Sequence, residues 1–198
     1  MKILPVLLYS LFGVGFILKF FHIHYNAVIM LVALGGLLVT GLISLGKKPT
    51  RLHALFQLGA FSWLALLLIT VKFFPFGIFG LILASCLSVM VAVLLIKGRQ
   101  FKKLAFIGWI AGVTLLFYLM PTDSRYYLFN VKWNHEIEYD FMTLDKYSWF
   151  LYRNGNNDKA LEVSARALDL AKNTGQTEWV DFIEEHREAI RNLNWERY

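Results

Sequence analysis

Apolar residues dominate the first 121 positions of the chain and fall into five stretches, at about 3–21, 27–45, 54–74, 76–96 and 104–120. A helix rises about 1.5 Å per residue, so about 20 residues cross a hydrocarbon core of about 30 Å. Each stretch is therefore predicted to be a membrane-spanning helix. Lys2 before the first stretch resembles the start of a signal peptide. No small-x-small cleavage site follows and a second apolar segment comes at once, so the helix is read as retained.

After Pro121 the pattern changes. Apolar positions recur every three or four residues among charged ones, which is the pattern of helices with one face on a core. Three such helices are predicted, at about 138–153, 158–172 and 177–193. Gly155 and Gly175 fall at the breaks, and Asn157 or Asp158 is suited to cap the second helix. Between the two regions, residues 122–137 form a linker carrying Tyr126, Tyr127, Phe129 and Trp133. Aromatic rings favour the membrane interface, so this linker is expected to lie along it, with a short strand as the alternative. The predicted fold class is all-α. A polytopic helical bundle over 1–121 contains two tandem hairpins plus a fifth helix, and a small three-helix soluble domain occupies 138–198.

Charge sharpens this division. None of the 14 acidic residues precedes Asp123, while the 20 Lys and Arg are shared equally between the two regions. The first region thus carries a balance of +10 and the second −4, consistent with the net +6. The basic excess belongs to membrane loops, and no nucleic-acid partner is expected. Lys47, Lys48 and Arg51 join the second and third spans, and Lys97, Arg99, Lys102 and Lys103 join the fourth and fifth. Basic loops stay cytoplasmic. The expected topology has a cytoplasmic N-terminus, outer turns at 20–26 and 74–76, and a C-terminal domain on the periplasmic side.

The outer turns repeat. "ILKFFHIHYNAVIM" at 17–30 aligns with "TVKFFPFGIFGLIL" at 70–83, so Lys19, Phe20 and Phe21 match Lys72, Phe73 and Phe74, and His22 falls on Pro75. A lysine inside a membrane often marks an ion path. Lysines this close to helix ends also snorkel to the interface, with the phenylalanine pairs as anchors. The snorkelling reading is preferred, because no carboxylate in the spans is available to pair with either lysine. Gly36 and Gly41 are not at GxxxG spacing, which predicts close packing without a specified dimer.

Two resemblances follow from these residues. The stretch "GFILKFFHIHYNAVIMLVALGGLLVTGLI" (15–43) resembles the N-terminal membrane hairpin of GldL-type proteins, inner-membrane motor subunits of Bacteroidota gliding and type 9 secretion. The shared pattern is a glycine, Lys19, His22, a small residue near Ala27 and a Gly-rich second helix. The resemblance implies a bacterial inner-membrane lineage and a hairpin architecture. It does not imply motor activity, since the family's proton-handling glutamate in the second helix has no equivalent here. The string "LDKYSWFLYRNGNNDKALEVSARALDLAKNTG" (144–175) resembles a tetratricopeptide repeat, with Gly155 at the inter-helix turn and Ala160 and Ala167 at the close-packing positions. The early Trp/Leu-Gly signature and the closing proline are missing. One and a half such units form a thin core, so the domain is expected to rest on, or bind, another protein surface.

Little in the chain points to chemistry. His22, His24 and His135 are weak metal candidates, limited by the i, i+2 spacing of the first two. "EEHRE" at 184–188 is not a zinc motif, and it places His186 toward the apolar edge of a charged helix. Cys86, inside the fourth apolar run, is read as a small buried residue. No nucleotide or nucleophile motif occurs, and neither a cofactor nor enzymatic activity is expected. The favoured function is a noncatalytic membrane scaffold or assembly subunit whose partners are the lipid bilayer and either an envelope protein or a second copy. The alternatives are a channel or transporter accessory subunit and a metal-dependent membrane protein.

Overall fold

A computed structural model describes residues 3–46, 50–73 and 77–195. All regular structure among them is helical. The predicted Lys47, Lys48 and Phe74 lie outside the described residues. The chain divides into two units, Met1–Lys19 with Ile23–Leu119, and Phe20–His22 with Met120–Tyr198.

The first unit contains α1 (Ile3–Phe20), α2 (Asn26–Leu45), α3 (Arg51–Val71), α4 (Gly77–Lys97) and α5 (Phe101–Leu119). All five are long and apolar enough to cross a membrane, the make-up of a multi-pass membrane protein. Pro5 is accommodated because it sits in the first turn of α1, where no intrahelical N–H bond is lost. Two spans begin three residues earlier than predicted. Arg51 and His53 belong to α3, and Lys102 and Lys103 to the first turn of α5. Lysine and arginine are good helix formers, and the Lys103 ammonium lies 5.6 Å from the centre of the Phe56 ring.

The five helices are not equivalent. α3 packs against α2, α4 and α5 and buries side chains on all its faces from Ala54 to Val71. α4 buries only Ala84, Val91 and Leu95. Cys86, predicted to be buried, is exposed, because it lies off that single packed face. α3 is also where the polar ties converge. Gln57 donates from Nε2 to Thr40 Oγ1 of α2 at 3.3 Å, and the Trp63 indole donates to Ser88 Oγ of α4. The Thr114 hydroxyl of α5 lies 2.8 Å from the Ile110 carbonyl and 3.3 Å from that of Trp63. Such interhelical bonds contribute about 0.6 kcal/mol each in a bilayer. α1 meets its neighbours through rings, with Tyr9 edge-on to Phe106 at 5.3 Å and Phe16 to Phe117 at 5.8 Å. It approaches α2 closely at Gly15, where a Cβ would stand 2.9 Å from Met30 Cγ and 3.1 Å from the Asn26 carbonyl oxygen.

The second unit begins with α6 (Thr122–Tyr126), which runs directly into one π-helical turn, Tyr127–Val131. The segment weighed as a strand is therefore helical. Its rings explain why: Tyr126 packs 4.7 Å from Phe150, and Tyr127 lies 5.6 Å from Tyr147. α7 (Phe141–Arg153), α8 (Asn157–Asn173) and α9 (Thr177–Arg191) follow. α7 starts three residues later than predicted because Asp140 is its cap, accepting the Thr143 N–H at 3.0 Å. The cap expected from Asn157 or Asp158 does not form; Asn156 holds the N-cap position of α8 without a side-chain bond.

The core joins Phe141 and Leu144 of α7, Ala167, Leu168 and Ala171 of α8, and Ile183 of α9. Ala160, Ser164, Ala167 and Ala171 are buried along one stripe of α8. Their small side chains allow α7 and α8 to approach closely.

Candidate functional site

The two Lys-Phe-Phe copies adopt different structures. Lys19 lies within α1 and is 7% exposed, whereas Lys72 follows the last residue of α3 and is half-buried. Lys72 Nζ donates to Asn26 Oδ1 at 3.2 Å, and Asn26 Nδ2 donates to the Ile23 carbonyl at 2.7 Å. Lys19 and Lys72 are near enough to repel one another, so one end of the first unit gathers two like charges. The described phenylalanines differ too. Phe20 is half-buried, its ring 4.7 Å from Phe129 within the second unit, while Phe21 is 52% exposed. Phe73 is half-buried with φ 61°.

That backbone angle identifies the role of His22. A left-handed residue just past a helix end lets the following N–H reach back and satisfy orphan carbonyls. His22 has φ 54°, and the Ile23 N–H bonds to the Leu18 carbonyl at 3.1 Å. Gly155 does the same after α7, with φ 81° and an Asn156 N–H to Leu151 carbonyl bond of 2.9 Å. Gly175 repeats it after α8. Histidine enters this region more readily than most side chains. His24 and His135 are exposed. No group of three or more His, Cys, Asp or Glu side chains suited to a metal ion is found among the described residues.

The structure builds a different cluster, on α9. His186 is buried, and its Nδ1 lies 2.9 Å and 3.1 Å from the two carboxylate oxygens of Asp145 on α7. Asp145 is itself 1% exposed. The imidazole stacks on Trp195 at 4.5 Å and meets Phe182 edge-on at 4.0 Å. Phe182 in turn meets Trp179 edge-on at 5.6 Å. These rings line a cavity of about 650 Å³, whose wall also includes Glu185 and Glu188. Helical spacing produces this wall: Trp179, Phe182 and His186 fall on adjacent turns of one side of α9. Trp195 is brought back over them after the helix ends, its backbone N–H donating to the Tyr152 hydroxyl at 3.2 Å.

Sequence reasoning put His186 at an apolar edge but did not pair it with Asp145, 41 positions away. The interruption of apolar runs by Gln57, Trp63 and Thr114 was the available signal for the α3 ties. No family model matches the chain, and neither a curated protein nor a solved structure does so.

Proposed function

We propose that the protein is a noncatalytic integral membrane scaffold or assembly subunit, anchored by five spans and presenting its second unit as a protein-interaction module in a bacterial envelope complex. The observation that carries this reading is the α9 face. Phe182 remains 43% exposed beside Trp179 in a cavity open to solvent, although the unit has a formed core elsewhere. An uncovered aromatic surface of this kind marks an interaction site. The tetratricopeptide-like string over α7 and α8 favours the same role. On this reading the membrane is the inner one, the N-terminus is cytoplasmic, the second unit is periplasmic, and the GldL-like hairpin is a mark of lineage.

Cross-linking in native membranes followed by mild solubilisation tests it. The expected outcome is a stoichiometric partner, either another envelope protein or a second copy. Recovery only as a lone monomer from every gentle detergent overturns it. Labelling of a cysteine introduced at Asn194 in a Cys86→Ser chain tests the topology, and reaction from the cytoplasmic side removes the periplasmic assignment.

A second reading, a channel or transporter accessory subunit, is favoured by the approach of Lys19 and Lys72 at one end of the spans. Reconstituted flux that survives replacement of both by Met excludes a role for these lysines in conduction.

A further inference from the structure

The α9 cavity has the composition of a cation site. Its wall presents Trp179, Phe182 and Trp195, and the nearby acids Glu185 and Glu188 also line it. Among the described residues, no Lys or Arg is part of the wall, and its one imidazole, His186, is engaged by Asp145. The acids of this helix are divided between two tasks. Glu184 is held by Lys172 at 2.8 Å, and that bond and charge keep its carboxyl below the usual range. Glu185 and Glu188 are exposed and paired with no basic side chain among the described residues. Aromatic faces carry negative electrostatic potential and attract cations, most of all when carboxylates add full charge alongside. The same features repel an anionic or purely acidic ligand. Two asparagines, Asn192 and Asn194, line the cavity beside the rings and offer further acceptors. Its volume falls in the range that encloses a side chain or small ligand.

We propose that this cavity binds the side chain of an arginine or lysine presented by a protein partner. The proposal rests on the interaction-module reading above and names the chemistry of what that module recognises. The alkyl stem lies along Phe182 and Trp179, and the charged head is placed between the ring faces and Glu185 and Glu188.

The test uses the full chain in detergent micelles, titrated with the capped tripeptide Gly-Arg-Gly and with its citrulline counterpart, which keeps the shape and loses the charge. The indole N–H signals of Trp179 and Trp195 report binding by NMR. The expected result is a saturable shift of both signals by the arginine peptide. Binding is expected to weaken at least about fivefold for the citrulline peptide and for the double variant Glu185→Gln/Glu188→Gln, and about threefold for Phe182→Leu. Both glutamates are exposed, so the double variant leaves the core untouched. Equal binding of the two peptides, unchanged binding by the double variant, or absence of a saturable shift overturns the proposal. Cross-linking to a partner that persists in the double variant leaves the scaffold reading intact while removing the cation assignment.

Discussion

Asp145 on α7 and His186 on α9 are held together by two contacts of 2.9 Å and 3.1 Å, both side chains excluded from solvent. This is a polar tie across the second unit, made by residues on two helices that each also pack on α8. Removing one partner leaves a buried polar group unsatisfied, which costs about 3–5 kcal/mol when the group is charged. Asp145→Ala is expected to lose stability of that order, read as the denaturant midpoint of the far-UV signal and as hydrogen exchange within 141–191. Asp145→Leu/His186→Leu is expected to recover most of the loss. A double variant no more stable than the single one contradicts the tie.

His22→Gly tests whether His22 is a chain-reversal residue or a ligand. A non-glycine residue in the left-handed region costs about 1–2 kcal/mol, partly offset by the extra unfolded-state freedom of glycine. The substitution is expected to keep the fold and raise the melting temperature slightly in detergent. A marked drop in stability argues against the reversal role. Gly155→Ala, at φ 81° with open space around its Cβ position, is expected to do the reverse and cost about 1 kcal/mol.

Gly15 supplies a steric prediction in the membrane unit. Its missing side chain leaves room for Met30 and the Asn26 carbonyl. Gly15→Val is expected to force α1 away from α2, read as faster protease cleavage of the turn at 21–25 in detergent-solubilised protein. Gly13→Val is the control, because nothing lies within 4 Å of its Cβ position. Equal cleavage of the two variants counts against the close approach.

Two phenols supply a pH prediction. Burial, then the Asp123 carboxylate and the nearby Tyr127, push Tyr147 up to about 12. Burial pushes Tyr126 upward as well. An unfolded tyrosine ionises near pH 10, so the folded state retains protons that the unfolded chain gives up. Stability is therefore unaffected below about pH 10 and falls as the pH rises toward 12. A spectrophotometric tyrosinate titration should show a late-ionising fraction that diminishes in Tyr147→Phe. An unchanged late fraction rules out the raised phenol.

Much of the architecture was legible because each region follows a single dominant force. Five long, predominantly apolar runs point to spanning helices, and alternating faces after Pro121 leave little room for anything except packed amphipathic helices. Boundaries slipped by three residues at α3, α5 and α7, where lysines, arginines and a capping aspartate belong equally well to a loop and to a helical turn. The aromatic linker, expected along the membrane interface with a strand as the alternative, is helical over 122–131, because Tyr126 and Tyr127 pack on Tyr147 and Phe150 of α7, partners that composition alone does not reveal. The repeat was visible in sequence, yet the surroundings of Lys19 and Lys72 were not. Fourteen aligned positions carry no information about which copy will be enclosed. The α9 cavity was hidden for the same reason. It depends on Asp145, 41 positions before His186, and on the chain doubling back after α9 so that Trp195 covers it.

The enclosure of α3 has a consequence for how the protein is made. Synthesis runs from the N-terminus, so α3 emerges before α4 and α5, the helices that later cover two of its sides. Until they arrive, the Trp63 indole, whose acceptor Ser88 lies on α4, faces lipid or the insertion machinery. The middle of the protein is thus the last part to become comfortable in the bilayer. A chain stopped before Gly77 is expected to be withdrawn or degraded, although every apolar residue of its first three spans is already in place.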